Sequence, residues 1–417
     1  MEEDQAIMPT AAVPDHVPQD LVVDVDFYRL PGAEHDVFAA WKAQHEHWRT
    51  LRGGNAPLVW TVRNGGHWIA TGGDALEDLY PDDQNLSNSS ISIPAYEGLK
   101  IYPGQADGEE HIAYRTAVMK RFNPRAMREM RAPIEAIANR IIDDLARRGG
   151  CDFVAEFAYR LPIILFLDMM NLPLEDGDFL LAQAHRTIRA TTDHEKHDAL
   201  SAIFGYLARV VAERRVDPGD DLISMLHQTP VGGKRMTEAA VHGISVNLLL
   251  GGLDTVASML GFIMQRLAQD EVVRRQLASQ PERLDQRLDE LIRRFPIASL
   301  ARVVARDFGY CGIQLRQGDR LFLPSALYNF DDRKFDLPME LDLERKVLSH
   351  MSFGRGPHQC LGSYLARIEL SATLRTWLAR IPDFRITPGA QVRVASGPIN
   401  AIKSLPLEWA TAHVLPH

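Results

Sequence analysis

The chain is poor in several features that mark large protein classes. Three cysteines in 417 residues, Cys151, Cys311 and Cys360, show no paired spacing; the odd count argues against a disulfide scaffold and fits a reducing compartment. Basic residues are in deficit, 46 Lys and Arg against 55 Asp and Glu, so the basic face of a nucleic-acid binder is not expected. No run of about 18 uninterrupted apolar residues occurs, which argues against a membrane-spanning helix. The acidic start Met1-Glu2-Glu3-Asp4 has no apolar run behind it and reads as neither signal peptide nor anchor, so a cytoplasmic location is expected. Internal repeats and low-complexity tracts are also missing. Cys151 and Cys311 are expected to be small apolar fillers.

What is present is globular: 46% hydrophobic and 24% charged residues, enough for one large core over 1–417. Residues 1–35 are Pro-rich and acidic and predict an extended arm on the surface. Residues 60–71 read as a hairpin around Gly65-Gly66. From 109 to about 380 helical periodicity dominates, with amphipathic segments at 127–147, 152–172, 176–191 and 199–216. The tail 382–406 reads as small hairpins. The fold class expected is mainly α with a smaller β-rich part. Residues 86–108 have no sustained period and are long for a loop, which suits a lid over a site. Residues 237–269 run unbroken and would span about 50 Å as a helix, enough to cross the molecule.

The most informative stretch runs from Phe353 to Arg367. Gly354, Gly356 and Pro357 precede Cys360, and residues 361–378 have helical spacing, so Cys360 should sit where a tight loop enters a helix. The backbone N–H groups of Leu361 to Ser363 would then point at the sulfur and favour its thiolate. Gly362 and Ala366, four apart, carry almost no side chain and would admit a flat macrocycle. On this chemistry Cys360 is a ligand or nucleophile, with a buried structural thiol as the rival.

The segment resembles the haem-binding signature of the cytochrome P-450 family, Phe-x-x-Gly-x-x-x-Cys-x-Gly, at Phe353, Gly356, Cys360 and Gly362. The resemblance implies the cytochrome P-450 fold, haem b as cofactor, and Cys360 as the axial ligand to the haem iron. Glu290-Leu291-Ile292-Arg293 is similar to the family's Glu-x-x-Arg motif, and Arg345 would complete a structural Glu–Arg–Arg cluster. Taken alone, such an i,i+3 pair is usually a solvated salt bridge.

In the 237–269 segment Asn247, Leu250, Gly251, Asp254 and Thr255 share one helical face. Two glycines in a helix interior cost about 1 kcal/mol each relative to alanine, and such penalties often mark function. A kinked helix with Thr255 bonding back to its i−4 carbonyl is the plainer reading. The resemblance makes Gly251-Gly252 the groove for O2, and Asp254 and Thr255 the acid–alcohol pair that organises water and delivers protons. His111 and Arg115, four apart, suit paired donors to a haem propionate, with an ordinary surface pair as the rival. Arg302 and His358 resemble the remaining propionate partners.

The resemblance covers nearly the whole chain and is nearest to the soluble bacterial branch that includes the camphor hydroxylase. It implies a monooxygenase that hydroxylates a small apolar substrate. Electrons would come from an iron–sulfur ferredoxin with an NADH-dependent flavin reductase. That branch's ketone-binding lid tyrosine is replaced by Leu99, so camphor itself is not expected. Leu99, Asn247, Leu250, Gly251, Ala298 and Ile399 are the expected substrate contacts, with Tyr96 or Tyr102 as further polar groups. A terpenoid or norisoprenoid ketone such as an ionone fits them. Two rival classes are a nonenzymatic haem carrier or sensor, and a zinc enzyme using His45 and His47 or His194 and His197. The histidine pairs lack a second ligand pair and lie in polar helical stretches.

Overall fold

The computed structural model describes residues 10–95, 99–189, 193–347 and 349–411. Helices surround one long helix, Glu238–Gln269, and a six-stranded sheet lies to one side. The long helix starts where the Thr237 side chain accepts from the Ala240 N–H, and ends at Asp270, whose side chain caps the next helix, Glu271–Ser279. An 18-residue window of it is long and apolar enough to cross a bilayer, yet 61% of that window is buried inside the protein, as befits a core helix. It packs against the helices Arg160–Met169 and Asp193–Val216 and the π-turn Val154–Ala158.

The helices at 127–147 and 152–172 are each interrupted, and proline is the reason. Pro133 has no N–H to give the Glu129 carbonyl, so Pro124–Glu129 stops and Arg131–Ala146 begins anew. Pro162 likewise cannot bond Ala158, and the π-turn gives way there to Arg160–Met169. The segment expected to start at Ala199 begins earlier, at Asp193.

The sheet runs in the order Val22–Val23, Leu58–Thr61, His67–Ala70, Arg320–Pro324, Ser299–Val304, Leu86–Ser87. The hairpin at 60–71 forms its centre, with Trp60 opposite Trp68. The N-terminal arm is not a surface strap: Val17, Leu21, Phe27 and Leu30 are buried, Val22–Val23 is an edge strand, and the helix Ala33–Trp48 has begun before residue 35. Its spaced apolar residues supply enough buried area to hold it down. The segment 86–108 begins at the strand Leu86–Ser87 and ends at the helix Gly108–Met119; Tyr96 lies outside the described residues.

Two smaller expectations also change. Cys311 is exposed, in the tight turn between Phe308–Tyr310 and Ile313–Leu315, while Cys151 is buried. His45 is not solvated but fully buried, and desolvation pushes it down to about 4. No cluster of three or more metal-ligating side chains occurs among the described residues.

The Glu-x-x-Arg pair is buried as well. Arg293 donates to both Glu290 carboxylate oxygens, at 2.6 and 2.9 Å, and to the carbonyls of Asn329, Pro338 and Glu340. Arg345 donates to Glu290 Oε1 at 3.2 Å. Asn329 links this cluster to the cysteine loop: it donates to the Arg293 carbonyl and Ser352 Oγ, and accepts from the Met351 N–H. Replacing Glu290 with Ala strands a buried guanidinium and is expected to cost about 3–5 kcal/mol in denaturant unfolding. A cost below about 1 kcal/mol would show that the pair does not hold the loop.

Candidate active site

Cys360 ends a loop folded back on itself. Its N–H donates to the Phe353 carbonyl at 2.9 Å, and Gly354 and Gly356 take φ of 67° and 79°. At Gly356 a Cβ would lie 2.6 Å from Pro81 Cα, so only glycine fits. The following helix is Ser363–Arg380, two residues later than its periodicity predicts, because Leu361 and Gly362 still belong to the turn. The Gly362 N–H bonds the sulfur. Cys360 has exposed surface, yet its sulfur is desolvated, which together describe the wall of an internal cleft. Burial pushes the thiol up, while the Gly362 N–H, Arg115 and Arg367 pull it down. Arg367 lies over the Phe353 ring at 4.7 Å and is held by Asp289 at 2.8 Å.

The long helix has a strip of open surface in its middle. Gly251 is exposed while Leu249, Leu253 and Val256 are buried. Thr255 Oγ1 donates to the Gly251 carbonyl at 2.6 Å, the back-bond of the plainer reading. Asp254 accepts from the Tyr159 hydroxyl at 3.2 Å. Burial and Asp254 raise Tyr159 well above the usual phenol range, so it remains a donor. Asn247 Nδ2 donates to the Tyr102 carbonyl, in the segment 86–108, at 3.1 Å. Leu99 and Leu250 are partly buried, and Ala298 and Ile399 pair across an isolated β-bridge.

The four donors expected at a propionate edge converge. His111 and His358 stack with ring centroids 3.8 Å apart. Burial, then His111 and Arg302, push His358 down to about 3, and burial and Arg115 lower His111, so both rings are neutral at pH 7. His111 Nε2 is buried with no hydrogen-bond partner among the described residues. Arg302 is buried in the strand Ser299–Val304 and donates to the Ala301 carbonyl. Neither Arg302 nor Arg115 has an ion pair with an Asp or Glu among the described residues, and desolvation lowers both. Two desolvated guanidiniums and an unpartnered ring nitrogen suit a ligand carrying two carboxylates. Haem b is such a ligand, and these residues fit it.

The family model described as Cytochrome P450 matches residues 166–393, more than half the chain. The chain belongs to the cytochrome P450 family. It is 30% identical to the probable cytochrome P450 127A1 of Sinorhizobium fredii, over 96% of this chain and 98% of that one. With a 20-oxo-5-O-mycaminosyltylactone 23-monooxygenase of Streptomyces fradiae the identity is 31%, over 91% and 90%. The crystal structure of cytochrome P450 CYP101C1 superposes with a TM-score of 0.87 at 37% identity, covering 96% of this chain and all of that one. As a P450 the protein is a monooxygenase that binds haem b and uses O2.

Some residues of this P450's site carry no sequence signal. Tyr159 and Asn329 belong to no motif. Asp107 faces the histidine pair; burial pushes its carboxyl up, but bonds from Ser87 and the Asn88 N–H outweigh this and hold it low. Glu369, in the helix after Cys360, is buried and pushed up to about 8 by desolvation alone. A folded-state pKa above the ordinary 4.5 means that stability is full below about pH 4.5 and falls as pH rises toward 8. Glu369→Gln removes that loss. Its stability relative to wild type should improve by about 1 kcal/mol per pH unit between pH 5 and 8. Parallel pH profiles of the two melting temperatures would contradict this.

Proposed function

We propose that the Cys360 thiolate would bind the iron of haem b, and that His111, Arg115, Arg302 and His358 would hold its propionates. The observation that carries this is the convergence of two desolvated guanidiniums, without an ion pair to Asp or Glu among the described residues, and a stacked histidine pair beside a cysteine sulfur. Phe353 and Gly362 frame the sulfur, and Glu290, Arg293 and Arg345 brace the loop. Bound haem supplies the redox chemistry of O2 activation.

The chain's own residues supply protons and orientation. Gly251 opens the groove, and Thr255 Oγ, fixed by its bond to the Gly251 carbonyl, holds a water there. Asp254, steadied by the Tyr159 hydroxyl, passes the proton toward it. The substrate is a terpenoid- or norisoprenoid-sized ketone such as an ionone, packed by Leu99, Leu250, Ala298 and Ile399. Support comes from the partly buried apolar character of these four residues. The second proton of Asn247 Nδ2 suits the ketone oxygen, the first being bonded to Tyr102. Tyr102 itself interacts through its side chain with Lys100, which makes it the weaker candidate. Electrons come from an iron–sulfur ferredoxin served by an NADH-dependent flavin reductase, in the cytoplasm. Exposed Tyr364 and Ile112 give the surface near the cysteine loop and haem edge an apolar element for such a partner.

The absorption spectrum of the reduced, carbon-monoxide-bound protein reads the sulfur ligand directly; Cys360→Ser is expected to abolish its thiolate signature, and an unchanged spectrum would end this reading. Thr255→Ala, which keeps the helix, should let NADH consumption continue while product per NADH falls roughly tenfold. Unchanged coupling would favour the haem carrier or another proton route.

A further inference from the structure

The central helix carries a second anomaly one turn before Asn247. Gly243 is buried in the helix interior, where alanine would stabilise the helix more. A Cβ there would land on the Lys100 carbonyl oxygen and lie 3.2 Å from the Tyr102 ring. One turn on, Asn247 Nδ2 bonds the Tyr102 carbonyl at 3.1 Å. The two residues lie four apart, so they face the same way and grip the same piece of lid.

That piece is itself compact. The Ile101 N–H donates to Gln105 Oε1 and the Gln105 N–H to the Ile101 carbonyl, each at 2.8 Å. On the other side Lys100 Nζ bonds Glu110 at 2.9 Å, and the Tyr102 and Tyr114 rings lie 4.5 Å apart. Residues 100–105 are therefore held between the central helix and the helix Gly108–Met119, with Leu99 at their margin.

We propose that Gly243 and Asn247 form a latch that seats lid residues 100–105 on the central helix, and that Asn247 is a positioning residue for substrate binding. Glycine leaves room for one lid carbonyl and the carboxamide fixes a second, which sets where Leu99 meets the substrate. Because a carbonyl is the acceptor, the amide must turn its nitrogen to the lid, so the latch needs asparagine and not its isosteric acid. The proposal rests on the reading that this loop covers the substrate groove.

Two variants of the haem-loaded protein test it. Asn247→Asp keeps the shape and puts an oxygen against the Tyr102 carbonyl; Gly243→Ala adds the clashing methyl while favouring the helix. Amide hydrogen exchange is read across residues 99–107, together with the association rate of 4-phenylimidazole, a bulky ligand for haem iron that needs no knowledge of the natural substrate. Exchange at Ile101 and Gln105 should quicken at least tenfold in either variant and 4-phenylimidazole should bind faster, with exchange in the rest of the central helix unchanged. Unaltered exchange at 99–107 in both variants would overturn the latch, as would equal loosening throughout the protein or a freed lid without faster ligand entry. If the lid loosens and 4-phenylimidazole enters faster in the variants while terpenoid ketones leave the haem spin state of the wild-type protein untouched, the latch stands and only the substrate assignment falls.

Discussion

A glutamate and an arginine, both withdrawn from water, brace the chain that leads into the cysteine loop. Glu290 is 1% and Arg293 0% exposed. Charges so desolvated are tolerable only when their bonding capacity is filled, and here it is filled by each other, by Arg345 and by backbone carbonyls. The consequence is positional. Asn329 carries the constraint from Arg293 to Met351 and Ser352, and from there the chain has only a short, glycine-turned path to Cys360. A sulfur that must face a fixed point in a cleft is set by a network well away from it.

The same logic of desolvation governs the cleft. Among the described residues Arg115 and Arg302 form no ion pair with a carboxylate, and His111 presents a buried nitrogen without a hydrogen-bond partner. Protein interiors seldom leave cations in that condition unless another anion completes them. The unfilled capacity of the cleft thus suits a ligand that carries negative charge where these donors meet.

Glycine marks where the molecule trades local stability for access. Gly251 opens the central helix beside Thr255, and Gly243 leaves room for the Lys100 carbonyl. Both weaken the helix, and the large buried core around it, with the packed helices Ser363–Arg380 and Arg131–Ala146, offsets the loss. Gly356, at a φ of 79°, is instead the residue its turn requires, and lets the cysteine loop press on Pro81.

The family and the linear elements were legible before any coordinates, because they rest on local spacing. The signature around Cys360, the unbroken periodicity of 237–269, the Glu290–Arg293 pair and the hairpin near Gly65 are read within a few turns of chain. Periodicity runs straight across Pro133 and Pro162, where the helices are in fact interrupted. What only the tertiary structure decided is partnership across distance. Tyr159 meeting Asp254, Asn329 bridging to the cysteine loop, Asn247 spending an amide proton on the lid, and Glu369 and His45 losing their water all depend on which segments pack together. Hydrogen-bond partners and desolvation belong to the folded environment, so a one-dimensional pattern names the reactive residues but not the neighbours that set their charge and position.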